Sequence, residues 1–431
     1  MKEGAEKRNK NKPRRLRCSV QNYDWGKTGE ESKVARLLLQ NSGLDIQQYE
    51  PYAEFWMGTH ESGPSFVIND CKVRDSDMES RSLKSWILEN PSVLGNKVVN
   101  QWGTDLPFLF KVLSVAKVLS IQAHPDKELA RTLHKLQPNL YKDSNHKPEM
   151  ALALTEFEAL CGFVSLEELK NVLRTVPEII ELVGNDEAEQ VLHVNEQSGE
   201  KKVKAVLQSL IAQLMSASES SISEAVYKMK RRLTMEKKVR QLKDKEQLVL
   251  HLEKQYPADI GVMFAFFLNY MKLNPGEALY LGANEPHAYI SGECIECMAT
   301  SDNVVRAGLT SKYRDVRSLC SMLTYKQGSL EILQGIPLNP YTKRYIPPFD
   351  EFEVDSCILP QGKSAKFPSV PGPSIFVVTA GAGIMQTDSF GEIISEGAVF
   401  FVPADTEITV TATQGLQLYR AGVNSRFLSE N

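Results

Sequence analysis

A short stretch near residue 120 carries an amide and an imidazole at a spacing that could bind a metal ion. Apolar and polar side chains alternate over residues 119–124, and this period of two predicts a β-strand with Gln122 and His124 on one face. Pro125 cannot donate to a strand ladder and should end the strand, and Asp126 can cap a following helix. The sequence therefore predicts half of a metal site at a strand end.

The other candidate ligands stand far away along the chain. Glu149 opens a second apolar strand, and His287 follows a third predicted strand, Ala278–Leu281. With Gln122 and His124 they would give two imidazoles and two oxygens, a set that suits zinc, with manganese, iron, cobalt or nickel as alternatives. Each residue also has an ordinary interpretation, because a single histidine is commonly structural and glutamine is a rare ligand.

The elements that must position these side chains are strands on both sides of a helical stretch. Residues 18–160 have mainly strand patterns with short helices. Ser165 and Glu168 then form a capping box, and apolar residues recur at helical spacing to about residue 256. The strand pattern returns from residue 272. The sequence therefore predicts a mainly β fold with an all-helical insertion.

A weak internal repeat gives the β parts a more specific form. Residues 274–284 and 395–405 both place a glycine turn before an apolar strand and end in Ala followed by Asn or Asp. This pattern favours cupin-like antiparallel jelly-roll barrels. Continuing the alignment sets His287 opposite Ile408. The second copy therefore lacks the metal ligand, and we expect it to be structural.

These patterns divide the chain of 431 residues into five parts. They are a flexible basic tail (1–17), the first part of a catalytic cupin-like domain (18–164), a helical domain (165–256), the second part of the catalytic domain (257–330) and a degenerate C-terminal cupin-like domain (331–431). The lysines and arginines of the tail favour a solubilising role over a nuclear or nucleic-acid role.

Composition argues against several classes of partner. The net charge of −4 supplies no polycation for nucleic acid, and the longest apolar run, residues 262–268, is too short to cross a bilayer. Seven cysteines, an odd number scattered over a long chain, favour reduced thiols and a cytoplasmic location. Cys294 and Cys297 would face opposite ways in a strand, so we interpret them as buried structural thiols.

Several longer motifs resemble the signatures of one enzyme family. The motifs are residues 22–27, 52–60, 121–127 (IQAHPDK), 146–150 (HKPEM), 286–289 (PHAY), 294–299 and 301–310. In this order they resemble the type I mannose-6-phosphate isomerases, or phosphomannose isomerases, in their eukaryotic-like form. The resemblance covers nearly the whole chain beyond residue 17. Ser311 departs from the pattern, because the family often has proline at this loop position.

The resemblance implies a fold, a reaction and a cofactor. The family combines cupin-like barrels with a helical domain. Its reaction interconverts mannose 6-phosphate and fructose 6-phosphate through a cis-enediol(ate), and it supplies mannose 6-phosphate for GDP-mannose synthesis. The implied cofactor is one Zn²⁺ per chain, held by Gln122, His124, Glu149 and His287.

The resemblance also places Arg306 at the family's active-site arginine. Its fixed charge can stabilise an enediolate, and the alternative is a structural salt bridge with Asp302. Lys147 should share a face with Glu149 and is our candidate base for proton transfer. Asp302 competes with Lys147 for this role, and the sequence leaves the choice open.

The substrate phosphate needs cations and hydroxyl groups in the same pocket. Lys111, Ser120 and Lys312 are the predicted contacts. Tyr289 shares a face with His287 and is predicted to hydrogen-bond the sugar. Lys111 lies in an otherwise apolar strand, where a charge needs a partner, and that partner is either solvent at a sheet edge or the substrate phosphate.

Three other functions are weighed against this one. The helical insertion and the run from Pro286 to Arg306 argue against a cupin-type glucose-6-phosphate isomerase. The intact ligand set argues against a cupin that only binds sugar, and a fused nucleotidyltransferase would need a glycine-rich nucleotide site that the sequence lacks. We therefore expect a cytoplasmic, monomeric enzyme that binds a small sugar phosphate and has no nucleic-acid or membrane partner.

Overall fold

Antiparallel sheets near both ends of the chain, with a run of helices between them, make up the computed structural model. The structure describes residues 12–68 and 81–429. This architecture confirms the predicted fold class, a mainly β protein with cupin-like antiparallel sheets and a helical insertion.

The elements of the described residues are numbered in chain order. The strands are β1 (Arg14–Arg17), β2 (Ser19–Gln21), β3 (Lys27–Thr28), β4 (Pro51–Tyr52), β5 (Glu54–Met57), β6 (Phe66–Val67), β7 (Phe108–Val115), β8 (Ile121–Ala123), β9 (Glu149–Ala153), β10 (Phe157–Phe163), β11 (Leu268–Leu273), β12 (Ala278–Leu281), β13 (His287–Ala299), β14 (Val305–Gly308), β15 (Ile336–Asn339), β16 (Thr342–Tyr345), β17 (Glu353–Leu359), β18 (Ser364–Phe367), β19 (Ser374–Ala380), β20 (Ala382–Thr387), β21 (Phe390–Ser395), β22 (Val399–Val402), β23 (Ile408–Ala412) and β24 (Leu416–Gly422). The α-helices are α1 (Lys33–Ser42), α2 (Leu83–Glu89), α3 (Asn96–Trp102), α4 (Lys127–Leu136), α5 (Leu166–Thr175), α6 (Pro177–Val183), α7 (Asn185–His193), α8 (Glu200–Ser216), α9 (Glu219–Glu236), α10 (Asp244–Gln255), α11 (Ile260–Phe264), α12 (Val316–Met322) and α13 (Ser425–Ser429). Short 3₁₀ helices occur at Gly29–Glu31, Pro91–Leu94, Glu196–Ser198 and Ala265–Phe267.

Strand β13 is the central strand of a ten-stranded sheet formed by β2, β5 and β7–β14. Its second half pairs with β7 on one side and with β9 on the other, and its first residues pair with β10 and β8. Between the two halves, Gly292 has a φ of 108°, and a Cβ atom there would lie 2.4 Å from the carbonyl oxygen of Glu156. Glycine therefore permits the bend through which one strand joins two sets of neighbours.

The strand predicted from Leu119 is shorter than expected. Strand β8 begins at Ile121, and the Leu119 N–H donates to the carbonyl oxygen of Tyr289 (2.9 Å) just outside it. Helix α4 follows as predicted, because Asp126 Oδ1 accepts a hydrogen bond from the Leu129 N–H at 2.9 Å. The strand–Pro–cap–helix pattern is thus confirmed, except that the strand lacks its first two predicted residues and its last, His124.

Between β10 and β11 the chain forms the helical insertion, α5 to α11. Ser165 begins it by accepting a hydrogen bond from the Glu168 N–H (3.2 Å), as the capping pattern predicts. The helices extend to Phe264, beyond the predicted end near residue 256. Their buried apolar side chains belong to the same core as Ile121 of β8. The insertion therefore packs directly against the sheet that carries the candidate site.

The C-terminal part consists of two antiparallel sheets that share one apolar core. Strands β15, β16, β17, β24, β19 and β22 belong to an eight-stranded sheet, and β18, β23, β20 and β21 form a four-stranded sheet. Phe376 and Phe400 of the larger sheet pack in one cluster with Met385 and Ile408 of the smaller sheet. This double-sheet arrangement agrees with the predicted C-terminal cupin-like unit.

The remaining two strands of the eight-stranded sheet come from the N-terminal region. Strand β1 pairs antiparallel with β22, with Arg14 opposite Phe401, and also with β6. Leu16 is fully buried in the adjoining core. The prediction that a flexible tail continues to residue 17 is therefore wrong at its end, because an apolar residue anchors the basic segment to the sheet. Residues 1–11 of the predicted tail lie outside the described residues.

The internal repeat is visible in the backbone. Gly276 and Gly397 have φ angles of 86° and 83°, and each precedes a four-residue strand, β12 or β22. Asn284 and Asp405, which follow those strands, have φ angles of 63° and 59°. Ile408 begins β23 as His287 begins β13, and it is buried in the C-terminal core. Ile408 thus fills with hydrocarbon the position that a metal ligand takes in the first copy.

Cys294 and Cys297 lie on opposite faces of β13. Cys294 packs in the cluster of Leu113 and Tyr289, whereas Cys297 packs in the cluster of Phe55 and Met150. Both are free, and burial raises the pKa of both thiols. This placement confirms buried structural thiols. Within the ranges described, every helix falls short of the length and apolar character that a membrane-spanning segment needs.

The repeat generates a prediction for Ile408→Ala. Truncation of this buried side chain should lower the free energy of unfolding by about 2–4 kcal/mol, because it leaves a cavity in the C-terminal core. Zinc content should not change. Denaturant unfolding and metal analysis measure the two effects. Ile393→Ala is the matched control, because Ile393 is 76% exposed and should have little effect on stability. Loss of zinc from Ile408→Ala would contradict the structural role of the second copy.

Candidate active site

Three buried side chains converge where β8, β9 and β13 meet. His124 follows the last residue of β8, Glu149 is the first residue of β9, and His287 is the first residue of β13. Their candidate ligand atoms all lie within 4.8 Å of one another. Glu149 Oε1 is 3.4 Å from His124 Nε2, and Glu149 Oε2 is 3.3 Å from His287 Nε2. We call these three residues the histidine–glutamate cluster.

The second nitrogen of each imidazole fixes the ring. His124 Nδ1 lies 2.7 Å from the carbonyl oxygen of Asn303, and His287 Nδ1 lies 3.0 Å from that of Glu285. A carbonyl oxygen can only accept, so each Nδ1 donates, and each ring turns its Nε2 atom towards Glu149. Neither buried Nε2 atom has a hydrogen-bond partner among the described residues.

Protonation at the cluster also favours a cation. Burial lowers the pKa of the His124 imidazole to about 4, against the attraction of Glu149, so His124 is neutral at pH 7. Burial by itself would raise the pKa of the Glu149 carboxyl, but its partners, above all the Lys147 ammonium, hold it well below its usual range. The neutral His124 imidazole, the Glu149 carboxylate and the His287 ring, whose Nε2 atom faces the same space, fit a divalent metal ion such as zinc.

Gln122, the fourth predicted ligand, lies next to the cluster. In β8 it is the direct partner of His287 on one side and of Arg306 in β14 on the other. It also lines the cavity that opens beside the cluster. The sheet register therefore brings all four predicted ligands to one region, although they are separated by up to 165 positions in the sequence.

The cavity has a volume of about 390 Å³ and is lined by many charged and aromatic side chains. Its predicted members are Ser120, Gln122, Lys111, Lys147, Asp302, Arg306 and Lys312. Further members that the predictions did not include are Asp24, Glu54, His60, Lys117, Tyr256, Thr310 and Ser311. Basic and hydroxyl side chains in this wall suit an anionic, hydroxyl-rich ligand.

Arg306 is a half-buried cation without a carboxylate partner in the part of the chain that the structure describes. Burial lowers the pKa of its guanidinium slightly from its ordinary high value, so the charge is retained. The alternative salt bridge with Asp302 is not formed, because Asp302 Oδ1 lies 3.2 Å from His60 Nε2 instead. Arg306 therefore presents an uncompensated positive charge to the cavity.

Lys147 and Asp302 are both placed at the cavity wall, but in different surroundings. Lys147 Nζ is 3.0 Å from Glu149 Oε1 and thus touches the histidine–glutamate cluster. His60 Nδ1 accepts from the Ser62 N–H at 3.2 Å, so its Nε2 carries the proton that it donates to Asp302. This hydrogen bond, the largest effect, lowers the pKa of the Asp302 carboxyl. Sequence reasoning missed His60, although it closes the motif of residues 52–60.

Lys111 has a different partner from either of those expected. Its Nζ atom lies 2.9 Å from Glu296 Oε2 and 3.1 Å from Glu54 Oε2. Burial alone would lower the pKa of the Lys111 ammonium, but these carboxylates outweigh it and raise the pKa above its ordinary value. Trp56 donates its indole N–H to Glu54 Oε2 at 2.7 Å. Lys111 is thus the cation of a buried ion triad and also lines the cavity, and its predicted contact with the substrate phosphate stays a prediction.

Tyr289 lies in the core next to His287, with the two ring centroids 6.5 Å apart. Its ring is 3% exposed and packs edge-on against Phe157 at 5.2 Å, within an apolar cluster. It is absent from the residues that line the cavity, as are His124, Glu149 and His287. The predicted hydrogen bond between Tyr289 and the sugar stays a prediction.

The helical insertion contributes one side chain to the cavity, Tyr256. Its hydroxyl group donates to the carbonyl oxygen of Val118 at 2.6 Å, and Gln255 Oε1 accepts from the Val118 N–H at 2.9 Å. Lys117 lies over the Tyr256 ring at 5.0 Å. Sequence reasoning treated Tyr256 only as the end of a helical stripe. The sequence signal that could have indicated this role was a polar aromatic side chain at the predicted end of the helical domain.

Comparison with known proteins identifies relatives over almost the whole chain. A family model for the catalytic domain of type I phosphomannose isomerase matches residues 14–166, and one for its helical insertion domain matches residues 182–268. Mannose-6-phosphate isomerase 1 of Arabidopsis thaliana is 62% identical, covering 96% of this chain and 95% of that protein. Mannose-6-phosphate isomerase of Homo sapiens is 41% identical, covering 94% of this chain and 97% of that protein.

Solved structures of phosphomannose isomerases also resemble this chain over almost its whole length. A mutant phosphomannose isomerase from Salmonella typhimurium is 29% identical with a TM-score of 0.80, covering 96% of this chain and 99% of that chain. A mannose 6-phosphate isomerase bound with zinc and yttrium is 30% identical with a TM-score of 0.79, and covers 96% of this chain and 99% of that chain.

The ion triad generates a prediction for Lys111→Met. Removing the ammonium leaves two buried carboxylates without a countercharge and should lower the free energy of unfolding by about 3–5 kcal/mol near neutral pH. Burial would then raise the pKa of Glu296 further above its unfolded value. A carboxyl shifted upwards destabilises at high pH, so the difference from wild type should shrink as the pH falls from about 8 to about 5.5. Denaturant unfolding across this pH range measures it.

The matched control for this prediction is Lys117→Met. Lys117 pairs with Asp24 at 3.3 Å, but the two side chains are 37% and 82% exposed. Loss of such an exposed pair should change the free energy of unfolding by less than about 1 kcal/mol at any pH. Equal losses in the two variants would contradict the ion triad.

Proposed function

This chain belongs to the type I phosphomannose isomerase family, and we propose that the histidine–glutamate cluster and Gln122 bind the zinc ion of its active site. The protein is a mannose-6-phosphate isomerase, a metal-dependent aldose–ketose isomerase that interconverts mannose 6-phosphate and fructose 6-phosphate. The reaction passes through a cis-enediol(ate) and connects fructose 6-phosphate with the mannose 6-phosphate used for GDP-mannose synthesis.

The observation that carries the ligand assignment is the pair of buried Nε2 atoms without hydrogen-bond partners among the described residues. Leaving two ring nitrogens unpaired in a core is costly unless something else occupies the space between them. A zinc ion bound there supplies a Lewis acid that polarises the sugar carbonyl and stabilises developing negative charge. The carbonyl groups of Asn303 and Glu285 orient the two rings for this role.

Arg306 is proposed to stabilise the same negative charge from the protein side. It pairs with Gln122 across β14 and β8, so its backbone is tied to that of a proposed ligand. Its guanidinium lines the cavity and is not compensated by a carboxylate among the residues described. A fixed and partly desolvated cation of this kind costs little reorganisation when an enediolate forms beside it.

Lys147 is proposed to move the proton between C2 and C1 of the sugar. The base acts as the neutral amine, which takes the C2 proton of the aldose to become an ammonium and then returns that proton to C1, while the hydroxyl proton at C2 moves towards the oxygen at C1. Lys147 lies in the cavity wall and at the cluster, 3.0 Å from Glu149. Asp302 is the second candidate, particularly for opening the sugar ring, because His60 holds its carboxylate at the same cavity.

The sugar phosphate is proposed to contact Ser120 and Lys312, which both line the cavity. We further propose that the enzyme is monomeric and cytoplasmic and acts without a nucleic-acid or membrane partner. All the side chains assigned to the site come from one chain, and the free, buried cysteines of the described residues suit a reducing compartment. For the domains, we propose the predicted division into 18–164 with 257–330, 165–256 and 331–431, with the end of the helical insertion moved to Phe264.

The first prediction for this proposal concerns His287→Ala. The variant should lose zinc and isomerase turnover together, because one of the three buried ligands is gone. A coupled assay of fructose 6-phosphate formed from mannose 6-phosphate, with metal analysis, measures both. In the wild type, a chelator should abolish turnover and added zinc should restore it.

The matched control is His193→Ala, in which an exposed histidine of the insertion is replaced. This variant should keep zinc and turnover. Folded, zinc-loaded wild-type protein without turnover would overturn the isomerase function. An active wild type whose His287→Ala variant still holds zinc would overturn the ligand assignment alone.

A second prediction concerns Arg306→Ala. The variant should fold and bind zinc normally, but kcat should fall about 100-fold or more because a charge that stabilises the enediolate is lost. Steady-state kinetics, thermal unfolding and metal analysis separate these effects. Arg317→Ala, on the exposed surface of α12, serves as the control and should have near-normal kcat. A kcat for Arg306→Ala within about twofold of wild type would refute the assigned role.

A further inference from the structure

One carboxylate joins the helical insertion to the wall of the substrate cavity. Asp259 lies between α10 and α11, at the end of the insertion. Its Oδ1 atom accepts hydrogen bonds from the N–H groups of Gly261 (2.6 Å) and Leu309 (2.7 Å), and its Oδ2 atom accepts from the N–H of Thr310 (3.1 Å). The first bond caps α11 locally, whereas the other two cross to the loop that follows β14.

The loop needs this support because of its backbone. Leu309 has a φ of 54°, a left-handed conformation that is unfavourable for a residue with a Cβ atom and a bulky side chain. Its N–H group and that of Thr310 both end on Asp259. A single side chain therefore holds the residue where the loop turns out of β14.

Two glycines allow the carboxylate to reach the loop. A Cβ atom on Gly261 would lie 2.5 Å from the Leu309 nitrogen, and a Cβ atom on Gly308 would lie 2.5 Å from the Gly261 Cα. Any larger residue at either position would push the insertion away from the loop. The close backbone contact and the three hydrogen bonds thus belong to one joint.

The joint continues into the cavity wall. The Thr310 hydroxyl oxygen accepts a hydrogen bond from the Lys312 N–H at 3.0 Å, so the residue that Asp259 holds in turn fixes the backbone of the next cation. Leu309, Thr310, Ser311 and Lys312 all line the cavity. Arg306, in contrast, is held by the pairing of β14 with β8 and does not depend on Asp259.

We propose that Asp259 is a positioning residue for substrate binding, through which the helical insertion sets the shape of the cavity at the 309–312 loop. The inference rests on the proposed function, because it takes this cavity as the site of the sugar phosphate. The loop bears contacts to the bound sugar phosphate, whereas Arg306 and the histidine–glutamate cluster are held by strands. Asp259 therefore acts on KM and leaves kcat nearly unchanged.

The test is Asp259→Asn, which keeps the size of the side chain but sets an NH₂ group against backbone N–H donors. The KM for mannose 6-phosphate should rise about tenfold, and kcat should stay within about twofold of wild type. Amide hydrogen exchange at Leu309 and Thr310 should be faster than in wild type, in zinc-loaded and in chelator-treated protein alike. This second measurement does not depend on turnover.

Ser165→Ala is the control within the same insertion. The variant removes the cap of α5, because the Ser165 hydroxyl oxygen accepts a hydrogen bond from the Glu168 N–H. Ser165 makes no hydrogen bond to the 309–312 loop in the described residues. The variant should lower stability without changing KM, which separates a positioning role from general weakening of the insertion. If Asp259→Asn does not fold, Thr310→Val is the second variant. It removes the hydrogen bond that the Lys312 N–H donates to the Thr310 hydroxyl oxygen, and it should also raise KM.

The outcomes distinguish the positioning role of Asp259 from the proposed function. An active wild type whose Asp259→Asn variant keeps its KM, or loses kcat instead, overturns the positioning role alone. Unchanged exchange at Leu309 and Thr310 overturns the joint itself. A zinc-loaded wild type without turnover overturns the proposed function, and the positioning role falls with it.

Discussion

The burial of charge at the centre of the barrel is the constraint on which the rest of the site depends. Glu54, Glu149 and Glu296 are each no more than 8% exposed, and a carboxylate left alone in such surroundings would destabilise the fold by several kcal/mol. Lys111 joins two of them and Lys147 touches the third. The Lys111 contacts cross strands β5, β7 and β13, whereas Lys147 lies two residues before Glu149 in the same segment. A slip of one residue in β5, β7 or β13 would turn its charged side chain to the opposite face, so these charges enforce the register.

Two cations of the cavity wall differ in their partners. Lys111 lies against two buried carboxylates, which compensate its charge. Arg306 lines the same cavity with no carboxylate beside it in the described ranges, so its field extends into the cavity. At the histidine–glutamate cluster, the Glu149 carboxylate lies between two imidazole Nε2 atoms. This arrangement favours a divalent cation at the cluster, while Arg306 favours an anion next to it.

The sequence predicted most of the local structure and much of the candidate site. The alternation before His124, the cap at Asp126 and the glycine turns of the repeat are local signals, and each has its expected counterpart in the structure. The partners of Lys111 could not be predicted in the same way, because they depend on which residues of β5 and β13 lie opposite β7. The surroundings of Tyr289 could not be predicted for a related reason, because strand alternation shows which residues share a face but not what that face packs against.

Strand β1 lies close to the first described residue, and it pairs with β22, which lies near the other end of the chain. During synthesis on the ribosome, the N-terminal strand emerges first and can pair with β6 early. The opposite edge of β1 has no strand to pair with until β22 has been synthesised, on the order of tens of seconds later. Contacts of such long sequence separation form late in folding. The eight-stranded sheet therefore closes only around a complete chain, and a product of interrupted translation would keep an open strand edge for chaperones and proteases to recognise.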